Sequence, residues 1–217
     1  MNIFLTYFWK TDAFFNTYFF NIYLIFQSLF FTMYEIEVKV KVPHSEIKDR
    51  MIRDGAIFID AEEQNDIYFN SPMRDFSKTD EALRIRSVNG KGEITYKGKK
   101  IDTVSKTRPE YNSPADEKEM TNILKSLGFF VSGAVHKRRE IYKWNKFTIG
   151  FDSIEELGEF MEIESDLRDA AGKEEIQNEI ENIFEFLEKY GIRKEDSITI
   201  SYLEMVLEKN NKTITKQ

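Results

Sequence analysis

From Tyr34 to Val42 the chain alternates with a period of two, Ile36, Val38, Val40 and Val42 on one side and Glu35, Glu37, Lys39 and Lys41 on the other. That pattern demands an extended strand with one apolar face. The same device recurs along the chain, and the polar positions are charged and paired two residues apart. Arg84 pairs with Arg86, Lys97 with Lys99, Arg108 with Glu110, Lys137 with Arg139, and Glu162 with Glu164, while Asp152 ends a strand of its own. For any single strand, a wet face of a half-buried antiparallel sheet explains such charges. Taken together they are sorted, with acids on the first and last strands and bases on those between. If the sheet curls until its ends meet, the acids converge and the bases line the remaining wall. The apolar residues then face outward, where amphipathic helices can cover them.

The strands expected are 34–42, 56–60 with 65–70, 81–88, 93–100, 106–112, 134–144, 146–152 and 159–166, with turns at Asn89-Gly90 and Asn145-Lys146. A short helix with Ile47, Met51 and Ile52 on one face follows Pro43, and Asp54-Gly55 stops it. Asp116 and Glu119 have capping-box spacing ahead of a stripe of Met120, Ile123, Leu124 and Leu127. Ile176, Ile180, Ile183, Phe184 and Leu187 form a second stripe, and a last helix begins near Ser201. The fold class is α+β: an antiparallel sheet of about eight strands with flanking helices. His44, Tyr142 and Trp144 read as structural, His44 as an exposed turn residue and the two aromatics as packing.

Composition narrows the chemistry. With no cysteine and only His44 and His136, the 217 residues offer neither a thiolate zinc site nor a histidine-rich metal centre. A metal here sits on oxygen ligands, which favours Mg²⁺ or Mn²⁺. The net charge of −7 excludes broad nucleic-acid binding but allows a local basic pocket. Neither a G-x-x-x-x-G-K-[ST] loop nor a G-x-G-x-x-G turn is present, so any phosphate is held by side chains.

Residues 1–32 differ from the rest. They carry two charges, Lys10 and Asp12, and nine of the nineteen phenylalanines. The uncharged run from Ala13 to Thr32 is long enough to cross a bilayer. Asn16, Asn21, Gln27 and Ser28 interrupt it, and no cleavage site follows. We expect an apolar leader over 1–32 that is not part of the domain, a domain over 33–209 beginning at Met33, and a polar tail over 210–217.

Glu35-Ile36-Glu37-Val38-Lys39 has the E-x-E-x-K form of the CYTH superfamily, the triphosphate tunnel metalloenzymes. In order there follow Asp66-Ile67-Tyr68-Phe69, Ala82-Leu83-Arg84-Ile85-Arg86, Thr95-Tyr96-Lys97-Gly98, Arg108-Pro109-Glu110, Lys137-Arg138-Arg139, Phe151-Asp152, and the run Leu157 to Glu164. The chain resembles that family over about 33–207, and the tail containing Ser201-Tyr202-Leu203-Glu204 is most similar to the class IV adenylyl cyclase branch.

The resemblance implies an eight-stranded antiparallel β-barrel, a triphosphate tunnel. It makes Glu35, Glu37, Asp152, Glu162 and Glu164 metal ligands for Mg²⁺ or Mn²⁺. Lys39, Arg84, Arg86, Lys97, Arg108, Lys137 and Arg139 become the polyphosphate cradle, with Lys39 and Lys97 the catalytic pair. The Lys137–Arg139 strand carries charge on both faces, so its register is open. The activity implied is conversion of ATP to cyclic AMP and pyrophosphate. The alternatives are hydrolysis of tripolyphosphate or thiamine triphosphate, or a binding module without catalysis. The expected partner is ATP or another triphosphate, in the cytoplasm, with no nucleic acid, no membrane unless the leader supplies one, and a homodimer left open.

Overall fold

A computed structural model describes residues 33–101, 104–167 and 172–214. The expected leader, and the last three residues of the tail, lie outside the described residues. Eight strands run in chain order: β1 (Met33–Lys41), β2 (Ile57–Asn70), β3 (Ala82–Val88), β4 (Lys91–Lys97), β5 (Arg108–Pro114), β6 (Phe130–Trp144), β7 (Phe147–Ile154) and β8 (Gly158–Leu167). Among the described residues five α-helices accompany them: α1 (His44–Arg53), α2 (Phe76–Thr79), α3 (Glu117–Ser126), α4 (Lys173–Glu188) and α5 (Tyr202–Ile214).

The strands close into a barrel in the order β1-β5-β4-β3-β2-β6-β7-β8, every neighbouring pair antiparallel. Two meanders, β2 to β5 and β6 to β8, are sealed by β1, which lies between β5 and β8. The first and last strands therefore do meet, as the sorting of charge requires. Both expected turns join neighbouring strands by two residues, and at the first Asn89 and Gly90 take φ of 50° and 78°, the left-handed pair that a two-residue hairpin needs.

The barrel is turned inside out relative to an ordinary core. Ile36, Val38 and Val40 of β1, Ile149 and Phe151 of β7, and Met161 and Ile163 of β8 point outward and are almost wholly buried. Ile47 and Met51 of α1 and Ile176, Ile180, Ile183, Phe184 and Leu187 of α4 cover them. Leu124 of α3 packs with Phe69, Leu83 and Ile85 over the opposite wall. The rest of the α3 stripe is wetter than its periodicity suggests, with Ile123 half exposed and Leu127 exposed.

Three expectations need correction. The expected strands 56–60 and 65–70 are one strand, β2, broken only by register shifts. Its first half pairs with β6 and lies beyond the reach of β3, so both faces are wet and the alternation fades. β4 ends at Lys97, where its partner β3 begins at Ala82, and this leaves Lys99 exposed on the following loop. His44 is buried: its Nε2 lies 2.9 Å from the Phe160 carbonyl and its ring packs edge-on against Phe151. Tyr142 packs as expected, while Trp144 stacks on Phe147.

Candidate active site

Strand register brings the acids together. Glu37 lies directly across from Glu164, and Lys39 across from Glu162, because β8 pairs antiparallel with β1. Glu35 is two residues back on the same face, opposite Arg108 of β5. Carboxylate oxygens of Glu35, Glu37 and Glu164 lie within 4.8 Å of one another. Burial raises the Glu35 carboxyl above its usual range against the pull of Lys97, and neighbouring Glu110 adds to the rise. Burial likewise raises Glu164, opposed by Arg139 and reinforced by Glu35, Glu37 and Glu162. In both, burial outweighs the neighbouring cation, and the crowding of carboxylates adds to it.

The bases are also inward. Of the seven read from the sequence, Lys39, Arg84, Lys97, Arg108, Lys137 and Arg139 are buried and Arg86 is partly buried. Lysine and arginine are almost never buried without partners, and most of these are tied down. Lys97 sits between Glu35 at 2.6 Å and Glu110 at 2.5 Å. Arg86 forks onto Asp66 at 2.7 and 2.8 Å. Lys137 and Arg139 both face the interior, which settles the register of β6. Arg139 reaches Asp152, Glu162 and Glu164, and Lys137 reaches Asp152 at 3.0 Å. Arg84 Nε and Arg108 Nε, by contrast, are buried with no hydrogen-bond partner. A cavity of about 300 Å³ is lined by Glu35, Glu37, Arg84, Arg86, Lys97, Arg108, Lys137, Arg139, Glu162 and Glu164.

Lys39 and Asp152 stand back from that lining. The Lys39 ammonium donates to the Ile200 carbonyl and lies 4.2 Å from the centroid of the Tyr202 ring. Burial and the charge of Lys106 push it well below the usual lysine range. Asp152 is fully buried and accepts from Arg139, Lys137 and the Tyr202 hydroxyl, the last at 2.9 Å. Here the tunnel is filled by apolar side chains, Val135, Ile154, Phe160 and Tyr202, with Tyr68 and Leu203 packed against them. The Ser201-Tyr202-Leu203-Glu204 run is a capping box at the start of α5: Glu204 N–H donates to Ser201 Oγ and Ser201 N–H to Glu204 Oε2. It delivers Tyr202 into the tunnel end.

Several site residues escaped the sequence reading. Asp66 was visible only as part of a motif, yet it anchors Arg86, so acids and bases interleave around the wall. Lys106, the first residue of the expected strand 106–112, lies on the loop just before β5, and its Nζ is 2.5 Å from Glu37 and 3.6 Å from Glu162. Gly150 faces the interior of β7, and a Cβ there would stand 2.9 Å from the guanidinium carbon of Arg139. A glycine inside a strand signals such a close approach.

Comparison with known proteins agrees with this architecture. The CYTH domain model matches residues 33–202. The MJ0240 protein of Methanocaldococcus jannaschii, provisionally named an adenylate cyclase, is 41% identical over 173 residues, covering 79% of this chain and 97% of its own length. The structure of the PH1819 protein of Pyrococcus horikoshii superposes with a TM-score of 0.72 at 40% identity, covering 81% of this chain and 99% of that one. A Hippeastrum protein, provisionally named an adenylyl cyclase and described as having a dominant triphosphatase activity, shares the fold at 19% identity and a TM-score of 0.53, over 74% of this chain and 88% of its own. A family match spanning every strand of the barrel, with relatives at 40% identity or more along nearly their whole length, establishes that this chain belongs to the CYTH family.

Proposed function

We propose that the chain is a metal-dependent triphosphate-processing enzyme that converts ATP to 3′,5′-cyclic AMP and pyrophosphate. The observation that carries the reading is the pair of unfilled donors: Arg84 Nε and Arg108 Nε, buried in a charged tunnel with no hydrogen-bond partner among the described residues. A buried donor without an acceptor costs about 1–3 kcal/mol, and a polyphosphate oxygen removes that cost. Guanidinium groups suit phosphate because their planar donors match its oxygens.

The donor set fits a hard divalent cation, Mg²⁺ or Mn²⁺, because oxygens of Glu35, Glu37 and Glu164 converge on one point. Glu162 flanks them, and Asp152 holds the wall behind. When bound, the cation withdraws charge from phosphate oxygen and favours ionisation of a neighbouring hydroxyl. The protein's own groups do the positioning. Arg84, Arg108 and Arg86 grip the triphosphate, and Lys97 stays charged beside the departing pyrophosphate because Glu35 and Glu110 outweigh its burial. Lys39 acts one step removed, fixing Tyr202 and the closed inner end. Cyclisation forms the bond from the ribose 3′-oxygen to the α-phosphorus, releases the 3′-hydroxyl proton to solvent, and breaks the bond to the bridging oxygen of the departing pyrophosphate. It needs those atoms in line at about 3–3.5 Å.

The name borne by the 41%-identical relative supports cyclisation over hydrolysis. Incubation with ATP and Mg²⁺ or Mn²⁺, followed by chromatography, tests it. Cyclic AMP with pyrophosphate is the expected product pair. ADP with orthophosphate, and no cyclic AMP, overturns the cyclase reading in favour of a triphosphatase; no turnover of ATP, tripolyphosphate or thiamine triphosphate leaves a binding module.

A further inference from the structure

The seam between β1 and β5 is short. Only Met33, Tyr34 and Glu35 pair with β5, through Glu110, Pro109 and Arg108. Beyond Glu35 the edge of β1 is completed by two other segments. Lys106 N–H, on the loop between β4 and β5, donates to the Glu37 carbonyl at 2.9 Å, and Ile198 N–H donates to the Lys39 carbonyl at 2.7 Å. Ser197 Oγ donates to the Val104 carbonyl at 2.8 Å, which joins the two segments.

This seam carries an ammonium group into the acidic end of the tunnel. Lys106 Nζ is 2.5 Å from Glu37 Oε1 and 3.6 Å from Glu162 Oε1, with only 7% of its side chain exposed. No other ammonium or guanidinium group is within ion-pair distance of Glu37 among the described residues: Lys97 serves Glu35 and Glu110, and Arg139 serves Glu162 and Glu164. A divalent ion on Glu37 would stand close to an ammonium already 2.5 Å from that carboxylate, and the repulsion between the two cations favours release of the ammonium. The backbone tie holds the loop to β1 whatever the side chain does, so the Lys106 side chain can swing without opening the seam.

We infer that Lys106 is a tethered counter-ion for Glu37 that the divalent metal displaces, and that the released ammonium then contributes to binding the triphosphate. This rests on the metal reading proposed above and adds to it a coupling: metal binding supplies one more cation to the substrate, so metal and triphosphate strengthen each other's binding. Linkage makes that effect reciprocal.

Direct Mn²⁺ binding, followed by electron paramagnetic resonance without nucleotide, tests the inference. Lys106→Met keeps the backbone donor and the stem of the side chain while removing the competitor. It should bind Mn²⁺ about tenfold more tightly than wild type, a coupling of ordinary size, and Lys106→Arg should stay near wild type. Tripolyphosphate should then raise Mn²⁺ affinity less in Lys106→Met than in wild type. Equal, measurable affinity in wild type and Lys106→Met overturns the inference and leaves the metal reading standing. Weaker binding by Lys106→Met makes Lys106 an organiser of the site and also overturns it. No Mn²⁺ binding by either protein overturns the metal reading and the inference together.

A second measurement needs no variant. In wild-type protein treated with a small acylating reagent and analysed by mass spectrometry, Mn²⁺ should increase labelling of the Lys106 amine several-fold, and tripolyphosphate should suppress the increase. Labelling indifferent to Mn²⁺ at saturating metal contradicts displacement.

Discussion

Arg139 grips Asp152 in a two-pronged fork, Nε to Oδ1 and Nη2 to Oδ2, both at 2.7 Å, with the carboxylate wholly shielded from solvent. The two residues face each other across β6 and β7. Lys137 and the Tyr202 hydroxyl complete the shell around the carboxylate. Burial alone would raise the Asp152 pKa, yet Arg139 and Lys137 hold it below its usual value. Removing one partner of a buried pair strands the other, at a cost of about 3–5 kcal/mol. Asp152→Ala should therefore lower stability by that order in urea unfolding. A variant as stable as wild type would show that the fork is not structural.

Gly150 makes room for the same guanidinium. A Cβ there would lie 2.9 Å from Cζ and 3.0 Å from Nε of Arg139. Arg139 cannot give way freely, since Asp152, Glu162 and Glu164 all hold it. Gly150→Ala should leave the barrel folded but shift Arg139, weakening triphosphate binding about tenfold, roughly the loss of one charge-assisted hydrogen bond. Calorimetric binding with unchanged affinity would contradict the packing described for this wall.

Under the proposed function Glu37 acts by holding metal. Glu37→Gln should lose most activity, and excess Mn²⁺ should restore part of it because the defect lies in metal affinity. A general base would instead lose one limb of the pH–rate profile with metal dependence unchanged. That pattern would refute the assignment.

Asp66 links the tunnel to acid stability. Burial favours its neutral form, but the hydrogen bonds from Arg86 and the charges of Arg84, Arg86 and Lys137 win, and its pKa falls from 3.8 to about 2. The unfolded chain then takes up this proton at higher pH than the folded one. The stabilisation is complete above about pH 4 and disappears as pH falls towards 2. Its size at neutral pH is about 2 kcal/mol. Asp66→Asn should have a shallower loss of stability than wild type between pH 4 and 2, measured by denaturant titration. Parallel curves would mean that Asp66 is not held ionised.

Much of this was legible from side-chain alternation. Glu35 and Glu37, Arg84 and Arg86, and Glu162 and Glu164 lie two apart on strands with one apolar face, and a period of two fixes which face each occupies. The outward apolar set and its covering helices follow from the same register. Lys106 opened the expected strand 106–112, two residues before Arg108, but was not paired with it as a site residue; β5 begins only at Arg108, and Lys106 reaches the site from the loop before it. His44 was misjudged because its burial depends on a carbonyl of β8, distant in sequence, that satisfies the imidazole. Residues 61–64, which join the two expected strands into β2, were missed because Ala61-Glu62-Glu63-Gln64 shows no apolar alternation. Asp66 and Gly150 stood in plain sight, but their roles depend on partners across neighbouring strands.

The central claim is that Arg84 and Arg108, with open donors in the tunnel, hold a triphosphate. Calorimetric titration of tripolyphosphate with Mg²⁺ into wild type and into the Arg84→Ala, Arg108→Ala double variant tests it most directly. The account predicts saturable one-to-one binding by wild type, and a melting temperature raised in step, since a ligand at a hundredfold excess over Kd stabilises the native state by about 2.7 kcal/mol. The double variant should lose at least about 100-fold in affinity, two charge-assisted hydrogen bonds at about 1.5–3 kcal/mol each. Absence of binding by wild type, or equal binding by the variant, would contradict it.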